Sequence, residues 1–286
     1  MDKTKIAICY AILAAALYAI SAPISKLLLA YIPSTMMAGL LYLGAGLGMY
    51  LLGKFRRDEK EQPITKKERP YTVAMVLLDI GAPVLLMIGL TRCSAANASL
   101  LNNFEIVATS LIALCIFRET ISRRLWIAIF LVTASSILLS VEDMSSFSFT
   151  LGSVFVLLAC ICWGFENNCT RMMSEKDPAQ IVVIKGFGSG IGAILLALIT
   201  GERYFHAGYM ALALLLGFVA YGMSIYFYIY AQRYLGAAKT STYYAVSPFI
   251  GAGLSLLIFR ELPSAVFLVA LAVMAAGTYY ATTSEK

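Results

Sequence analysis

Four ionisable residues stand inside otherwise apolar runs of this chain: Asp79, Glu105, Glu166 and Lys185. In a hydrocarbon surrounding such a charge costs roughly 2.5–3.5 kcal/mol on insertion scales, so each needs a partner or a watery cavity. Asn102, Glu105 and Thr109 follow the spacing i, i+3, i+7, which places them on one helix face. A carboxylate beside an amide and a hydroxyl suits binding of an ammonium group or a proton. The bland alternative is a protonated Glu105 bonded to a neighbour such as Asn102. The segment 142 residues further on presents Tyr244, Ser247 and Gly251 on its matching face, with no carboxylate.

Asp79 lies four residues before Pro83, and a proline cannot donate to the carbonyl four positions back. Pro23 frees the Ala19 carbonyl in the same way, and Pro248 frees that of Tyr244. Three loosened helices near ionisable or aromatic residues favour a cavity, since irregular backbone at membrane depth is tolerated where it lines one. Glu166 and Lys185 fall at similar depth on consecutive antiparallel helices. A salt bridge is the economical expectation, and a cytoplasmic gate that breaks and re-forms is the functional one. Tyr18 and Trp163 occupy matched positions and are expected to line the same cavity as Tyr221. Tyr226 and Tyr230 are expected to face lipid or neighbouring helices.

Other chemistries find little support. The six cysteines lie almost wholly in apolar runs; Cys160 and Cys162, two apart on a helix, point to different sides. They suit small buried hydrophobes better than a metal site, and no cofactor is expected. His206 is the sole histidine, and Gly186-Phe-Gly-Ser189-Gly misses the nucleophile-elbow spacing. A phosphate-binding loop is missing from the sequence, so an enzyme or an ATP-driven pump is not expected.

The elements that must position these residues are set by composition. Of 286 residues 60% are hydrophobic and 13% charged, with mean hydropathy +0.81; a soluble domain carries about a quarter charged residues. The chain cannot cover itself with polar surface, so its solvent is lipid. Apolar runs predict helices at 6–25, 34–53, 71–91, 94–117, 125–141, 149–170, 179–200, 209–232, 235–259 and 265–282. Each approaches the ~20 residues that cross a bilayer core. With the N-terminus inside, cytoplasmic segments hold seventeen Lys and Arg and outer segments four. That bias puts both termini in the cytoplasm and explains the net charge of +6 without nucleic acid.

The run is also a duplication. Sliding 95–119 onto 237–261 gives eight identities in twenty-five positions, ending in Ile116-Phe117-Arg118-Glu119 and Ile258-Phe259-Arg260-Glu261. A second match, offset by 145, pairs Tyr18 with Trp163, Lys26 with Arg171 and Pro33 with Pro178. The chain therefore divides into two units, 1–145 and 146–286. Five crossings is an odd number, so the second unit must run upside down. Inverted repeats are a recurrent architecture of secondary transporters, with the substrate site near the midplane where the halves meet. Glycine-rich stretches in the second and seventh helices are expected to let backbones approach closely.

The chain resembles the drug/metabolite transporter superfamily, specifically its ten-helix EamA-like members. The resemblance rests on Tyr18-Ala-Ile-Ser-Ala-Pro-Ile-Ser-Lys26 and Trp163-Gly-Phe-Glu-Asn-Asn-Cys-Thr-Arg171, on small-residue helices ending at Glu119 and Glu261, and on Ser247-Pro248. Glu105-Ile106 stands where Ser247-Pro248 stands in the second copy, a departure from the pattern. The resemblance implies an all-α carrier of small metabolites, amino acids among them, driven by gradients. The expectation is therefore alternating access in a bacterial plasma membrane, with an amine-bearing substrate and proton coupling through Glu105. A homodimer is compatible with it. A passive channel or lipid flippase is the alternative.

Overall fold

A computed structural model of the chain describes residues 3–55, 62–116, 122–143 and 148–282. Its helices are α1 (Lys3–Ala19), α2 (Ser21–Leu28), α3 (Ser34–Phe55), α4 (Arg69–Arg92), α5 (Ala95–Leu101), α6 (Phe104–Cys115), α7 (Arg123–Ser140), α8 (Leu151–Arg171) and α9 (Pro178–Ile199). They continue as α10 (Ala207–Leu216), a π-helical segment (Gly217–Met223), α11 (Ser224–Tyr244), α12 (Ser247–Phe259) and α13 (Ala265–Thr282). Among the described residues seven helices are long and apolar enough to cross a membrane, and Ser247–Phe259 and Ala265–Tyr280 are shorter apolar ones. The fold is all-helical, as expected, apart from one short ladder. Val141–Asp143 and Ser148–Phe149 pair as a short antiparallel ladder at the junction of the two copies.

The duplication is visible in the helix bounds. Each bound of α13 is the corresponding bound of α7 plus 142, and the two helices pack side by side with Ser135 Oγ donating to the Ala270 carbonyl at 2.6 Å. The second Ile-Phe-Arg-Glu closes α12, where Arg260 adopts the left-handed conformation (φ 54°) and the Glu261 amide donates to Leu256 O. The first lies largely outside the described residues, Glu119 included.

Two of the three proline effects end a helix. α1 stops at Ala19, four residues before Pro23, and α11 stops at Tyr244, four before Pro248. The missing proline N–H removes the bond that would carry the helix across. α4 instead runs unbroken through Pro83. Two expectations about boundaries fail. The eighth helix does not end at Gln232; it continues to Tyr244, since no proline intervenes. The fourth is not continuous; it breaks at Asn102–Asn103 without a proline, 143 residues before the break at Ala245–Val246. There the backbone bonds tighten to i→i+3, Glu105 N to Asn102 O and Ile106 N to Asn103 O at 3.1 and 3.0 Å.

The glycine-rich helices α3 and α9 meet backbone to backbone. A Cβ at Gly186 would lie 2.3 Å from the Gly46 nitrogen, so only glycine permits this approach. On its other side α3 meets the π segment, where a Cβ at Gly217 would lie 2.0 Å from Leu41 O. The three-way seam carries Tyr42, Lys185 and Tyr221 inward, and all three are buried.

Candidate functional site

The three breaks meet. Tyr18, Ala19, Ser21 and Ala22 from the α1–α2 junction, Ser99 and Asn102 from the α5–α6 junction, and Ser247, Pro248 and Gly251 of α12 surround one cavity, with Leu86 of α4. Its free volume is about 10 Å³, room for roughly one water molecule. The lining is built for a guest. Ser99 Oγ and Ser247 Oγ are buried and have no hydrogen-bond partner, and neither has the buried Asn103 amide beside the break. A buried polar group left unpaired costs about 1–3 kcal/mol, so each such group favours any ligand that pairs with it. Gly251 lets the walls close in: a Cβ there would touch Ala19 O and Ser99 Oγ at 3.0 Å each.

Tyr18 on the cavity wall is backed by further aromatic rings. Tyr18 packs on Tyr221 and Tyr244 at centroid distances of 5.6 and 5.9 Å, and Tyr221 packs on Tyr42 at 5.3 Å. Ser21 Oγ donates to Tyr221 OH at 3.0 Å. Tyr221 sits in the π segment, where the widened turn shifts the helix face. Tyr226 and Tyr230 pack among Tyr10, Phe227 and Tyr234, away from this wall. Trp163 is buried in the hydrophobic core but is not one of the cavity-lining residues, unlike its counterpart Tyr18.

The charged residues divide differently from the expectation. Lys185 Nζ does lie 2.9 Å from Glu166 Oε1, but also 3.1 Å from Asp79 Oδ2. Tyr42 OH donates to Asp79 Oδ1 at 3.0 Å, and Thr170 Oγ1 donates to Glu166 Oε1. Asp79, Glu166 and Lys185 are 0%, 2% and 5% exposed. Asp79 therefore belongs with the pair anticipated as a gate rather than with Glu105. Glu105 is half-buried and takes its hydrogen bond from the Asn167 amide, not from Asn102. Asn102 instead accepts from Cys160, whose Sγ lies 3.9 Å from its carbonyl and 4.0 Å from Oδ1. Asn167 also reaches Thr109 Oγ1 at 3.4 Å, and Asn168 ties Thr109 O to Gly164 O. This amide pair docks α8 against α6 where Gly164 would clash with Ala108 if it bore a Cβ.

Among the sites predicted from sequence, Tyr18, Asn102 and Ser247 are brought to one cavity; Tyr221 and Tyr244 do not line it but pack against Tyr18, edge-on and tilted respectively. Sequence reasoning missed Tyr42, Ser99, Asn103, Asn167 and Thr170. Ser99 carried a signal, being one of the identities between the copies.

The model of the EamA-like transporter family matches residues 5–141 and again 150–283. The chain belongs to the EamA-like transporter family. The family domain thus occurs as two repeats along the chain. An uncharacterized transporter of Methanothermobacter thermautotrophicus is 25% identical over 264 residues, covering 85% of this chain and 76% of that protein. The uncharacterized transporter YyaM of Bacillus subtilis is 21% identical over 211 residues, covering 71% of this chain and 69% of YyaM. A solved crystal structure shares the fold with TM-score 0.70 and 16% identity over 96% of each chain. This EamA-like chain is thus an integral membrane protein of a transporter family, not an enzyme.

Proposed function

We propose that this protein is a secondary carrier for a small amine-bearing metabolite, working by alternating access of two inverted halves, 1–145 and 146–286. Counting α7, α12 and α13 as crossings gives ten, with both termini on the cytoplasmic side of a bacterial plasma membrane. The observation that carries the reading is the small cavity where three helix breaks converge, lined by the unpartnered hydroxyls of Ser99 and Ser247. Broken helices supply free carbonyls and amides at bilayer depth, which is how carriers bind polar cargo without paying the full desolvation cost. The cavity holds no more than a water, as suits a closed state between the two open ones.

The amine preference rests on charge. Lys185 answers Asp79 and Glu166, whereas Glu105 meets a neutral amide, so Glu105 is the carboxylate left for a cationic group. One helical turn separates it from Asn102 on the cavity wall. The Glu166–Lys185 pair, five residues from the end of α8, is the natural place for a cytoplasmic gate.

The test starts with thermal shifts of the purified protein against amino acids, amines, sugars and nucleotides, followed by counterflow of any hit in proteoliposomes. An amine-bearing hit, saturable counterflow and loss of both in Glu105→Gln are expected. Hits confined to anionic sugars or nucleotides, or a shift unchanged in Glu105→Gln, refute the charge reading. Flux that neither saturates nor shows competition gives the channel alternative instead.

A further inference from the structure

The Asp79–Lys185–Glu166 cluster sets two carboxylates against one ammonium, all three almost fully enclosed. We propose that this triad is a proton-binding site: one of its two carboxylates takes a proton from water, the other stays paired with Lys185, and the buried group becomes neutral. An unbalanced negative charge in a low-dielectric interior is the alternative, and it is disfavoured because neither burial nor distance leaves it a counter-charge. Among the described residues Lys185 is the cation in ion-pair contact with the cluster.

The surroundings offer hydrogen bonds rather than charge. Tyr42 on α3 and Thr170 on α8 each donate to one carboxylate. Among the described residues Tyr221 of the π segment, Cys162 and Cys169 on α8 and Glu105 on α6 are further titratable neighbours, and none of these four is a cation. Proton binding forms one O–H bond at a carboxylate oxygen and breaks none in the protein. The site has polar steps toward two sides. Thr170 leads along α8 to exposed Arg171 at its end, and Tyr42 leads past Tyr221 to Ser21 on the cavity wall.

Position gives this proton a use, resting on the carrier reading above. Asp79 of α4 comes from the first copy and Lys185 of α9 and Glu166 of α8 from the second, so the cluster ties the copies together where α4 meets α8 and α9. Any movement that draws Asp79 from Lys185 strands a carboxylate unless it is protonated. The proton on the triad is then the coupled ion, and Glu105 is left for cargo.

Infrared titration of the full chain in nanodiscs reads the site with protons alone. Expected is a carboxylic-acid carbonyl band at neutral pH, shifted in D2O, that disappears in Asp79→Asn and in Glu166→Gln and persists in Glu105→Gln. Either triad variant suffices should the other fail to fold, since each leaves one carboxylate facing one ammonium. A wild-type spectrum without the band, a band kept in both triad variants, or one lost only in Glu105→Gln overturns the proposal. None of these spectra requires transport. Intact bands without counterflow would defeat the carrier reading, and missing bands with counterflow would defeat the triad.

Discussion

Replacing Gly186 by alanine puts a methyl carbon 2.3 Å from the Gly46 nitrogen, 2.4 Å from its Cα and 2.8 Å from Tyr42 O. Ordinary contact for such a carbon begins at 3.4 Å, so the shortfall is 1.1 Å (3.4 − 2.3). The opposing atoms are backbone, which cannot rotate out of the way, and α3 and α9 must separate. A gap of 0.5–1 Å forfeits a quarter to a half of each ~0.1–0.2 kcal/mol contact. Over on the order of 40 atom pairs along the seam that is about 1–4 kcal/mol, in line with measured overpacking losses of roughly 1–3. Alanine returns roughly 0.5–1 kcal/mol of helix propensity, leaving a net loss centred on about 2 kcal/mol within a range of about 0–3.5. Gly81→Ala and Gly253→Ala are the controls: a Cβ at either meets nothing within 4 Å, and both should gain rather than lose stability. Reversible unfolding in mixed detergent–SDS micelles reads the difference. Equal stability for Gly186→Ala and Gly81→Ala would refute the claim that the seam is a backbone contact. The same displacement should weaken the 3.0 Å bond from Tyr42 to Asp79, because Tyr42 rides on α3.

Two further outcomes can be checked in the same assay. Lys185→Met strands the buried carboxylate that is paired with it and should cost about 3–5 kcal/mol, as breaking a buried ion pair does; adding Asp79→Asn and Glu166→Gln should recover most of it, and no recovery would mean the loss is one of packing. At the other end of the molecule Glu202 accepts from the Thr35 and Met36 amides at 3.4 and 2.9 Å, capping α3 from a distant loop. Glu202→Ala should cost about 1–2 kcal/mol and Glu202→Gln less, since the amide oxygen still accepts; an unchanged midpoint for Glu202→Ala would show that the cap contributes nothing.

Sequence alone determined the features that covalent chemistry and solvent dictate. The lipid-facing composition, the two copies and the helix ends before Pro23 and Pro248 were all legible, because a proline lacks its N–H in any surroundings. Close backbone approach at the glycine-rich α3 and α9 was legible for a similar reason, since only residues without a Cβ allow it; that the two helices meet each other was not. Tertiary structure decided the partners. Glu105 and Asn167 are 62 residues apart, and nothing in either segment selects Asn167 over Asn102 until α8 docks on α6. Asp79 joins Lys185 only because α4 and α9 come together beside α3, and that neighbourhood turns an ordinary ion pair into a triad with an odd charge. The break at Asn102–Asn103 and the π turn carrying Tyr221 also lay beyond local reading. Neither has a residue that forbids a regular helix; packing against neighbouring helices, α3 in the case of the π turn, selects the irregular backbone, and packing is a property of the whole fold.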